Sequence, residues 1–396
     1  MVLLNKECLV KIFSYLDKQD IVSCSLVNSL WKDTALKVIT ARTTERLKIR
    51  LYDDFLALSE YDTEKTVHLD LTQMILPDSI SGVDIGPNGL IASNPFWNDF
   101  ATSIEGLQQL RIIELRYCPA YVIEDLCVTH PFLHKIKSID MSGPALNLDY
   151  LRECISLKEL CLQFHRVTCV SFYLDHDIDD VLNNLLEFTL TGMCDLNNYD
   201  ILQIINFNRL QSLSLGGCAY FSQEFTITLK KLVQLKKLRL ERCRGLTVLA
   251  IFEAVATMHN LKHLEMVDIN IPGGIDSAIA RCTNLTKLLI APYFEQLEDI
   301  NNRRIICGIV KLRRNLKQFK WVFARESSSE SHDDIIISKQ MPYLDEYGNL
   351  QVPLTTEKES VVFDSVSLET FIELFIPNCI VSVKRTSYVN MFSLQL

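Results

Sequence analysis

A nine-residue pattern of apolar residues recurs along much of this 396-residue chain. It is clearest in LRIIELRYC, where Leu110, Ile113, Leu115 and Cys118 stand at positions one, four, six and nine. The same spacing returns in two further strong copies and several looser ones. These begin at Leu210 and Leu235, and then at Ile136, Leu157, Leu185 (with Phe188 fourth), Leu261, Leu285 and Leu316, while a degenerate early copy ends in His68-Leu69-Asp70-Leu71.

This pattern restricts the fold because the leucines at its centre alternate, which is typical of a short strand with one buried face. Successive copies mostly begin 21 to 28 residues apart, so each strand must be followed by a returning segment before the next one starts. One such unit cannot bury its own apolar face, and stacked units can. A cysteine at position nine suits the crowded point where the chain turns off the strand.

The pattern resembles the leucine-rich repeat family, in particular its cysteine-containing type, over about two-thirds of the chain. Cys243-Arg244-Gly245-Leu246-Thr247 fits the turn of that type best, whereas the copies at Leu157 and Leu285 lack the cysteine. The resemblance implies a fold of α/β class, a leucine-rich-repeat solenoid (horseshoe), over residues 46–324. A stretch rich in Pro and Gly at about 76–100 is predicted to be a loop insertion.

The segment that precedes the repeats carries a second apolar pattern. Leu9, Ile12, Phe13 and Leu16 recur at three- and four-residue spacing, which predicts one stripe along a helix. Asp20 is placed to cap a second helix. Three helices of about 40 residues in all enclose too little core to be independently stable, so much of their apolar surface should meet something else.

This segment, from Leu4 to Asp33, resembles an F-box, and we assign residues 1–45 to a three-helix domain of that kind. The residues that match the family pattern are Leu4, Glu7, Leu9, Ile12, Phe13, Leu16, Asp17, Asp20, Ile21, Leu26, Val27 and Trp31. Asn5 departs from it, because the family usually has Pro at that position. The alternative is that the helices only cover the end of the repeat array.

The F-box resemblance implies that the segment binds the Skp-type adaptor of a ubiquitin ligase and, through the adaptor, a cullin. An interface of that kind would bury on the order of 2,000 Å². The residues expected to contact the adaptor are Leu4, Leu9, Ile12, Phe13, Leu16, Ile21, Leu26, Val27 and Trp31.

Charged residues stand between and beside the leucines of the repeats, where they should share one face of the strands. The earlier copies are mostly acidic and the later ones are mixed, which would suit a protein partner of split charge or a phosphorylated segment. The alternative is an ordinary solvated strand face. The candidate substrate-binding residues are Glu114, Arg116, Asp140, Glu159, Glu187, Lys237, Arg239, Glu241, His263, Glu265, Lys287 and Lys320.

The sequence gives no pattern for catalysis, a metal or a cofactor. His130 and His134 are four residues apart, but Pro131 lies between them and no Glu follows His130. Residues 175–180 (DHDIDD) lack the Gly and the closing Glu of a calcium loop, and no CxxC occurs. We therefore expect neither a catalytic residue nor a cofactor nor a metal ion.

Composition excludes several classes of partner. The formal net charge of −9 and the pI near 5.5 argue against nucleic acid, because phosphate binding needs a basic face. The first residues show no signal-peptide pattern, and no apolar run approaches the roughly 20 residues of a membrane-spanning helix. With 13 cysteines, the expectation is a protein of the cytoplasm or nucleus with reduced thiols.

Residues 325–396 are predicted to form an acidic loop (326–334) and a closing C-terminal segment. Ser367 is placed to cap a helix that stops before Pro377, and residues 379–383 should form a last strand.

The resemblances together predict a substrate-recognition subunit of an SCF-type (Skp adaptor–cullin–F-box) ubiquitin ligase. The F-box would hold the adaptor and the repeats would hold an unknown target protein, so the chain would act by proximity and would not be an enzyme itself. Two alternatives stay open: an F-box scaffold that delivers no substrate for ubiquitination, and a leucine-rich-repeat receptor for a small molecule.

Overall fold

The computed structural model divides the chain into two compact units, residues 1–142 with 153–157 and residues 143–152 with 158–396. The boundaries predicted at 45 and 324 do not coincide with this division. The structure describes residues 6–13, 15–16, 18–52, 55, 66–75, 95–98, 100–141, 145–164, 171–173, 184–192, 209–217, 223–243, 247–325, 335–338, 343–345, 350–351 and 360–396. In the described part, no helix is both long and apolar enough to span a membrane.

The first unit combines three opening helices with a small parallel sheet. Its helices are α1 (Lys6–Phe13), α2 (Lys18–Ser25), α3 (Ser29–Glu45), α4 (Pro95–Asn98), α5 (Phe100–Ser103) and α6 (Ala120–Thr129). Its strands pair in sequence order and in parallel, and they are β1 (Arg46–Lys48), β2 (His68–Asp70), β3 (Ile112–Arg116) and β4 (Lys135–Met141).

The strands of the second unit are β5 (Ala145–Asn147), β6 (Glu159–Phe164), β7 (Ser171–Tyr173), β8 (Glu187–Thr191), β9 (Ser212–Leu215), β10 (Lys237–Glu241), β11 (His263–Ile269), β12 (Lys287–Pro292), β13 (Gln318–Arg325), β14 (Ile335–Ser338), β15 (Tyr343–Leu344), β16 (Leu350–Gln351), β17 (Ser360–Phe363) and β18 (Ile380–Ser387). Eight of them are parallel neighbours in the order β6-β8-β9-β10-β11-β12-β13-β18, and the others form three two-stranded pairs, β5-β7, β14-β17 and β15-β16. Its helices are α7 (Gln223–Leu229), α8 (Thr247–Thr257), α9 (Ile275–Arg281), α10 (Asp299–Val310), α11 (Ser365–Phe375) and α12 (Tyr388–Met391).

The apolar positions of the repeat form the core in both units. In the copy that begins at Leu235, positions one, four and six are at most 1% exposed. Cys118 and Cys243, at position nine, are fully buried, and burial raises the pKa of the Cys118 thiol well above its ordinary value. The prediction of short strands whose leucines are buried is therefore confirmed, although β10, β11 and β12 also bury residues of their other face.

Position eight of the repeat shares a feature that the leucine pattern does not reveal. Its backbone takes a positive φ at Gly192, Gly217, Arg242 and Asp268 in the second unit and at Tyr117 in the first. At Tyr117, Gly192, Gly217 and Arg242 this conformation lets the chain turn off the strand, whereas at Asp268 the strand β11 continues to Ile269 with a shift of register. Glycine adopts it without steric cost, and other residues adopt it with strain.

The strand register corrects one predicted copy. Ile136 pairs with Ile113, which is the fourth residue of its own copy, so Ile136 stands at position four and not at position one. The copy therefore begins at Leu133, which is fully buried, and Asp140 is its eighth residue, with φ of 54°. The error arose because position six of this copy is the polar Ser138. The usual apolar residue is missing there, so the copy that begins at Leu133 is not apparent from the sequence.

Asparagines link consecutive repeats of the second unit. Asn260, Asn284 and Asn315 each precede the first leucine of a copy, and each donates through Nδ2 to a carbonyl of an earlier turn. Asn284 donates to three carbonyl oxygens, of Val255, Met258 and Leu261. These bonds satisfy backbone groups that the change from helix to strand leaves unpaired.

Parts of the predicted loop insertion are helical. Its last residues form α4 and α5, where Phe96, Trp97 and Phe100 are buried and contact Phe55 and one another with ring centroids 4.7–5.7 Å apart. Residues 76–94 lie outside the described residues, as do residues 175–180 and the acidic loop 326–334.

Two predicted helix caps are wrong. Helix α2 begins at Lys18, so Asp20 lies inside its first turn and does not cap it. Helix α11 begins at Ser365, and its cap is Asp364, whose side chain accepts from the Ser367 amide at 2.8 Å. The last strand predicted at 379–383 is confirmed as β18, which runs in parallel beside β13.

Candidate functional site

The first candidate surface is built by α1, α2 and α3. These helices bury a small apolar core of their own, formed by Leu9, Phe13, Ile21, Ala35 and Val38. Leu16, Cys24 and Trp31 pack against it, and the rings of Phe13 and Trp31 meet edge-on at 5.5 Å. The core fixes which apolar side chains of the helices remain on the outside.

The outer surface of these helices and of the turns between them is unusually apolar. Leu26 is 84% exposed, Tyr15 80% and Val27 59%. Residues 10–36 hold eight of the 24 large apolar side chains that are exposed in the described part of the chain. Single exposed apolar residues are normal on a protein surface, but such a density on three helices and their connecting turns is typical of a binding surface. The exposed residues are Val10, Ile12, Tyr15, Val22, Leu26, Val27, Leu30 and Leu36.

The structure divides the predicted adaptor contacts into two groups. Leu9, Phe13 and Ile21 are at most 1% exposed, so they belong to the helical core and cannot contact an adaptor while the helices keep this packing. Ile12, Leu26 and Val27 are exposed, Leu16 and Trp31 are half-buried, and Leu4 lies outside the described residues.

The helical spacing could not separate these groups. A stripe with period 3.6 shows which residues share one side of a helix, but not whether that side faces a sister helix or a partner. Val10, Tyr15, Val22, Leu30 and Leu36 are not among the predicted contacts, because the apolar pattern does not show which side chains remain exposed after the helices pack.

The second candidate surface is the face of the parallel strands of the second unit that carries the charged residues. Strand register sets these residues in rows. One row joins Lys237, His263 and Lys287, and the next joins Arg239, Glu265, Leu289 and Lys320. Glu159 and Glu187 are also register partners, on β6 and β8.

Residues 388–396, which we call the tail, lie on this face. Met391 and Phe392 pack against Val267, Leu289, Ala291, Val322 and Ala324, and Tyr388, Leu394 and Leu396 surround them. The Tyr388 hydroxyl donates to Asp268 Oδ2 at 2.8 Å, and the guanidinium of Arg242 lies 4.9 Å from the centroid of the Phe392 ring. The tail therefore covers strands β11, β12 and β13 with apolar contacts.

A buried charge network holds the tail's backbone. Arg239 donates to the Phe392 carbonyl at 2.6 Å and to the Leu394 carbonyl at 2.7 Å. The same guanidinium lies 2.8 Å from Glu241 and 2.6 Å from Glu265. Lys320 donates to the Gln395 carbonyl at 2.6 Å. Bonds from buried charged donors are among the stronger ones in proteins.

Glu265 is the centre of this network. Burial by itself would raise the pKa of its carboxyl, but the imidazole of His263 and the charges of Arg239 and Lys237 outweigh burial and lower the pKa to about 2. Burial lowers the pKa of the Lys320 ammonium, because burial disfavours its charged form, and the charge of Lys384 acts in the same direction. Glu265 is thus a buried anion that holds its cationic neighbours in place beneath the tail.

Three predicted substrate contacts are therefore corrected. Arg239, Glu241 and Glu265 are at most 3% exposed, because Arg239 and Glu265 bond to the tail and Glu241 pairs with Arg239, and they are closed to any partner while the tail is bound. The sequence could not show this, since the tail lies about 130 to 155 residues from these partners along the chain.

The other predicted contacts keep more accessible positions. In the first unit Glu114 lies 3.3 Å from Lys137, and Arg116 lies 2.8 Å from Asp140. Asp140 lies near the end of β4, at position eight of its copy and with a positive φ, so it does not stand between the repeat leucines as predicted. In the second unit, Lys237, His263 and Lys287 line a pocket together with Lys236, Asn260, Lys262 and Thr286.

The described residues contain no group of three or more His, Cys, Asp or Glu side chains that could hold a metal ion. His130 is buried and its Nε2 lies 3.1 Å from the Ile104 carbonyl, and burial lowers its pKa. Burial also raises the pKa of Cys282 to about 12, which keeps this thiol protonated. Both side chains are therefore buried in the protein core.

The comparison with protein families supports the first surface. Residues 6–39 match the F-box-like family model, so the three opening helices form an F-box-like domain, which supports an F-box protein. No curated protein matches the chain.

Proposed function

We propose that this chain is the substrate-recognition subunit of an SCF-type ubiquitin ligase. The observation that carries the proposal is the F-box-like domain at residues 6–39, which exposes Tyr15, Leu26 and Val27 in the turns between its helices. F-box domains generally bind Skp-type adaptors, and an exposed apolar surface on a small, already folded helical domain suits such a partner. The adaptor would link the chain to a cullin.

The second unit would supply the target-binding part of this proposal. Its parallel strands, its buried leucines and its buried Cys243 support the assignment to leucine-rich repeats of the cysteine-containing type. A row of strands offers a long surface on which a target protein could be held for ubiquitin transfer. In this role the chain contributes proximity, and other subunits contribute the reactive thioester. The complex would operate in the cytoplasm or the nucleus.

Co-expression with a Skp-type adaptor tests the adaptor-binding role. We expect the full chain to form a one-to-one complex on size-exclusion chromatography, and Leu26→Asp/Val27→Asp to weaken it by about 30-fold or more, because loss of a central anchor costs roughly 2 kcal/mol or more. Val366→Asp/Leu374→Asp is the matched control, since both residues are exposed on α11 of the second unit. Equal adaptor affinity of all three chains would contradict the assigned surface.

Ubiquitin transfer distinguishes the substrate receptor from the scaffold. A scaffold would bind the adaptor as tightly but would promote no transfer in a reconstituted ligase. The two roles therefore separate in the second assay and not in the first.

A further inference from the structure

The tail is held in the manner of a bound peptide. The polar contacts that fix residues 392–395 reach their main-chain carbonyls, and they come from side chains on two separate strands, Arg239 on β10 and Lys320 on β13. Main-chain bonds do not depend on the identity of the bound residues. A segment of another sequence that follows the same backbone path could therefore accept the same donors.

The side-chain contacts of the tail supply the specificity. Met391 is 1% exposed and Phe392 6% exposed, and both rest on the small apolar residues of β11, β12 and β13. Tyr388 adds one polar contact, its hydrogen bond to the buried Asp268. The surface under the tail is thus apolar in the middle. The Asp268 carboxylate accepts a hydroxyl hydrogen bond, and the cationic side chains of Arg239 and Lys320 donate to main-chain carbonyls.

We propose that this surface is a peptide-binding site which the chain's own tail occupies, and that a segment of a partner protein replaces the tail there. The occupant is defined by the chemistry of the site. It has a hydroxyl-bearing aromatic residue, a pair of large apolar residues three and four positions later at the end of a helical turn, and then a short segment whose carbonyls meet Arg239 and Lys320. The site itself stands on the tail contacts, and only the identification of the occupant as a ligase target rests on the proposed function.

Exchange is favoured over simple release of the tail. If the tail left an empty site, Leu289, Val322 and the carbonyl-binding side of Arg239 would face water or lose their partners. A partner segment restores both sets of contacts. Because a tethered segment competes at an effective concentration of about millimolar, the tail also sets a threshold that only a well-matched partner passes.

A peptide in trans tests the proposal. The probe is a fluorescently labelled synthetic peptide of residues 386–396 (TSYVNMFSLQL), titrated by anisotropy against three full-length chains. These are the wild type, Met391→Ala/Phe392→Ala, and the matched control Val366→Ala/Leu374→Ala, whose two residues are exposed on α11. We expect at least tenfold tighter binding to the tail variant than to the other two, and no binding of a peptide that carries Phe392→Asp.

Other outcomes would overturn the proposal. Equal binding to all three chains would place the peptide elsewhere, and loss of the cooperative unfolding transition in the tail variant would show that the tail is a fixed part of the core. A wild-type dimer held by exchanged tails would make a second copy the occupant in place of a partner protein.

The same variants separate this proposal from the proposed function. Adaptor binding is measured in parallel, and the tail variant should retain it. Peptide exchange without adaptor binding would leave the peptide site standing and remove the ligase role, whereas adaptor binding without exchange would do the reverse.

Discussion

At the scale of single residues, Phe13 and Leu26 both match the F-box pattern but have opposite positions in the structure. Phe13 is fully buried against Trp31, whereas Leu26 is the most exposed large apolar residue in the described part of the chain. Phe13 therefore stabilises the helices, and Leu26 is available to a partner. Substitution of each by alanine should separate stability from binding.

Phe13→Ala should destabilise the three helices by about 3–5 kcal/mol, because it removes a buried ring and leaves a cavity. Amide hydrogen exchange over residues 6–45 measures this directly, and adaptor affinity should fall in proportion to the opened fraction. Leu26→Ala should leave the exchange rates unchanged and still weaken adaptor binding. Normal exchange in Phe13→Ala would contradict the core position of this ring.

Glu265 makes a prediction for pH. Its folded-state pKa of about 2 lies below the ordinary value of 4.5, so the stability that it contributes is complete above about pH 5 and is lost as the pH falls toward 2. Wild type should exceed Glu265→Gln by a few kcal/mol in unfolding free energy at pH 7, and by much less at pH 3. Denaturant unfolding of both chains between pH 3 and pH 7 measures this difference in unfolding free energy. A difference that does not change with pH would refute the lowered pKa of Glu265.

At the scale of the element, the eighth residue of the repeat sets the turn after several strands, among them β8 and β10. Gly192 has φ of 107°, and a Cβ there would collide with the backbone carbonyl of Phe164. Gly192→Ala should therefore destabilise the second unit by about 1–3 kcal/mol. Gly106→Ala is the matched control, because a Cβ at Gly106 meets no atom within 4 Å. Equal unfolding midpoints for the two variants would show that the turn tolerates a side chain.

The sequence predicted elements wherever the apolar spacing was regular. The copies at Leu110, Leu210 and Leu235 became strands with buried leucines, and the copy at Ile136 was displaced by three residues because Ser138 takes the place of its second leucine. Local spacing carries no information on contacts between distant segments. The tail on β10–β13 and the side of the opening helices that faces outward both depend on such contacts, so only the structure shows them.

At the scale of the whole molecule, the two candidate surfaces lie on different units. The first carries the F-box-like helices and the second carries the tail-covered strand face. Adaptor binding should depend only on the first, and capture of a partner segment only on the second. Under the proposed function, transfer of ubiquitin to a captured partner would need both in one chain, because the chain would contribute proximity alone.

A reconstituted ligase checks this division. A target surrogate is made by fusing residues 386–396 to a lysine-rich carrier, and the ligase contains the adaptor, a cullin, a RING subunit and the ubiquitin-transferring enzymes. We expect Met391→Ala/Phe392→Ala, which frees the strand face, to raise modification of the carrier at least tenfold over wild type. Adding Leu26→Asp/Val27→Asp should return it to background, because the chain then lacks the adaptor. Modification that persists without the adaptor surface would show that the carrier reaches the ligase by another route, and a chain that binds both adaptor and carrier without any transfer would be a scaffold.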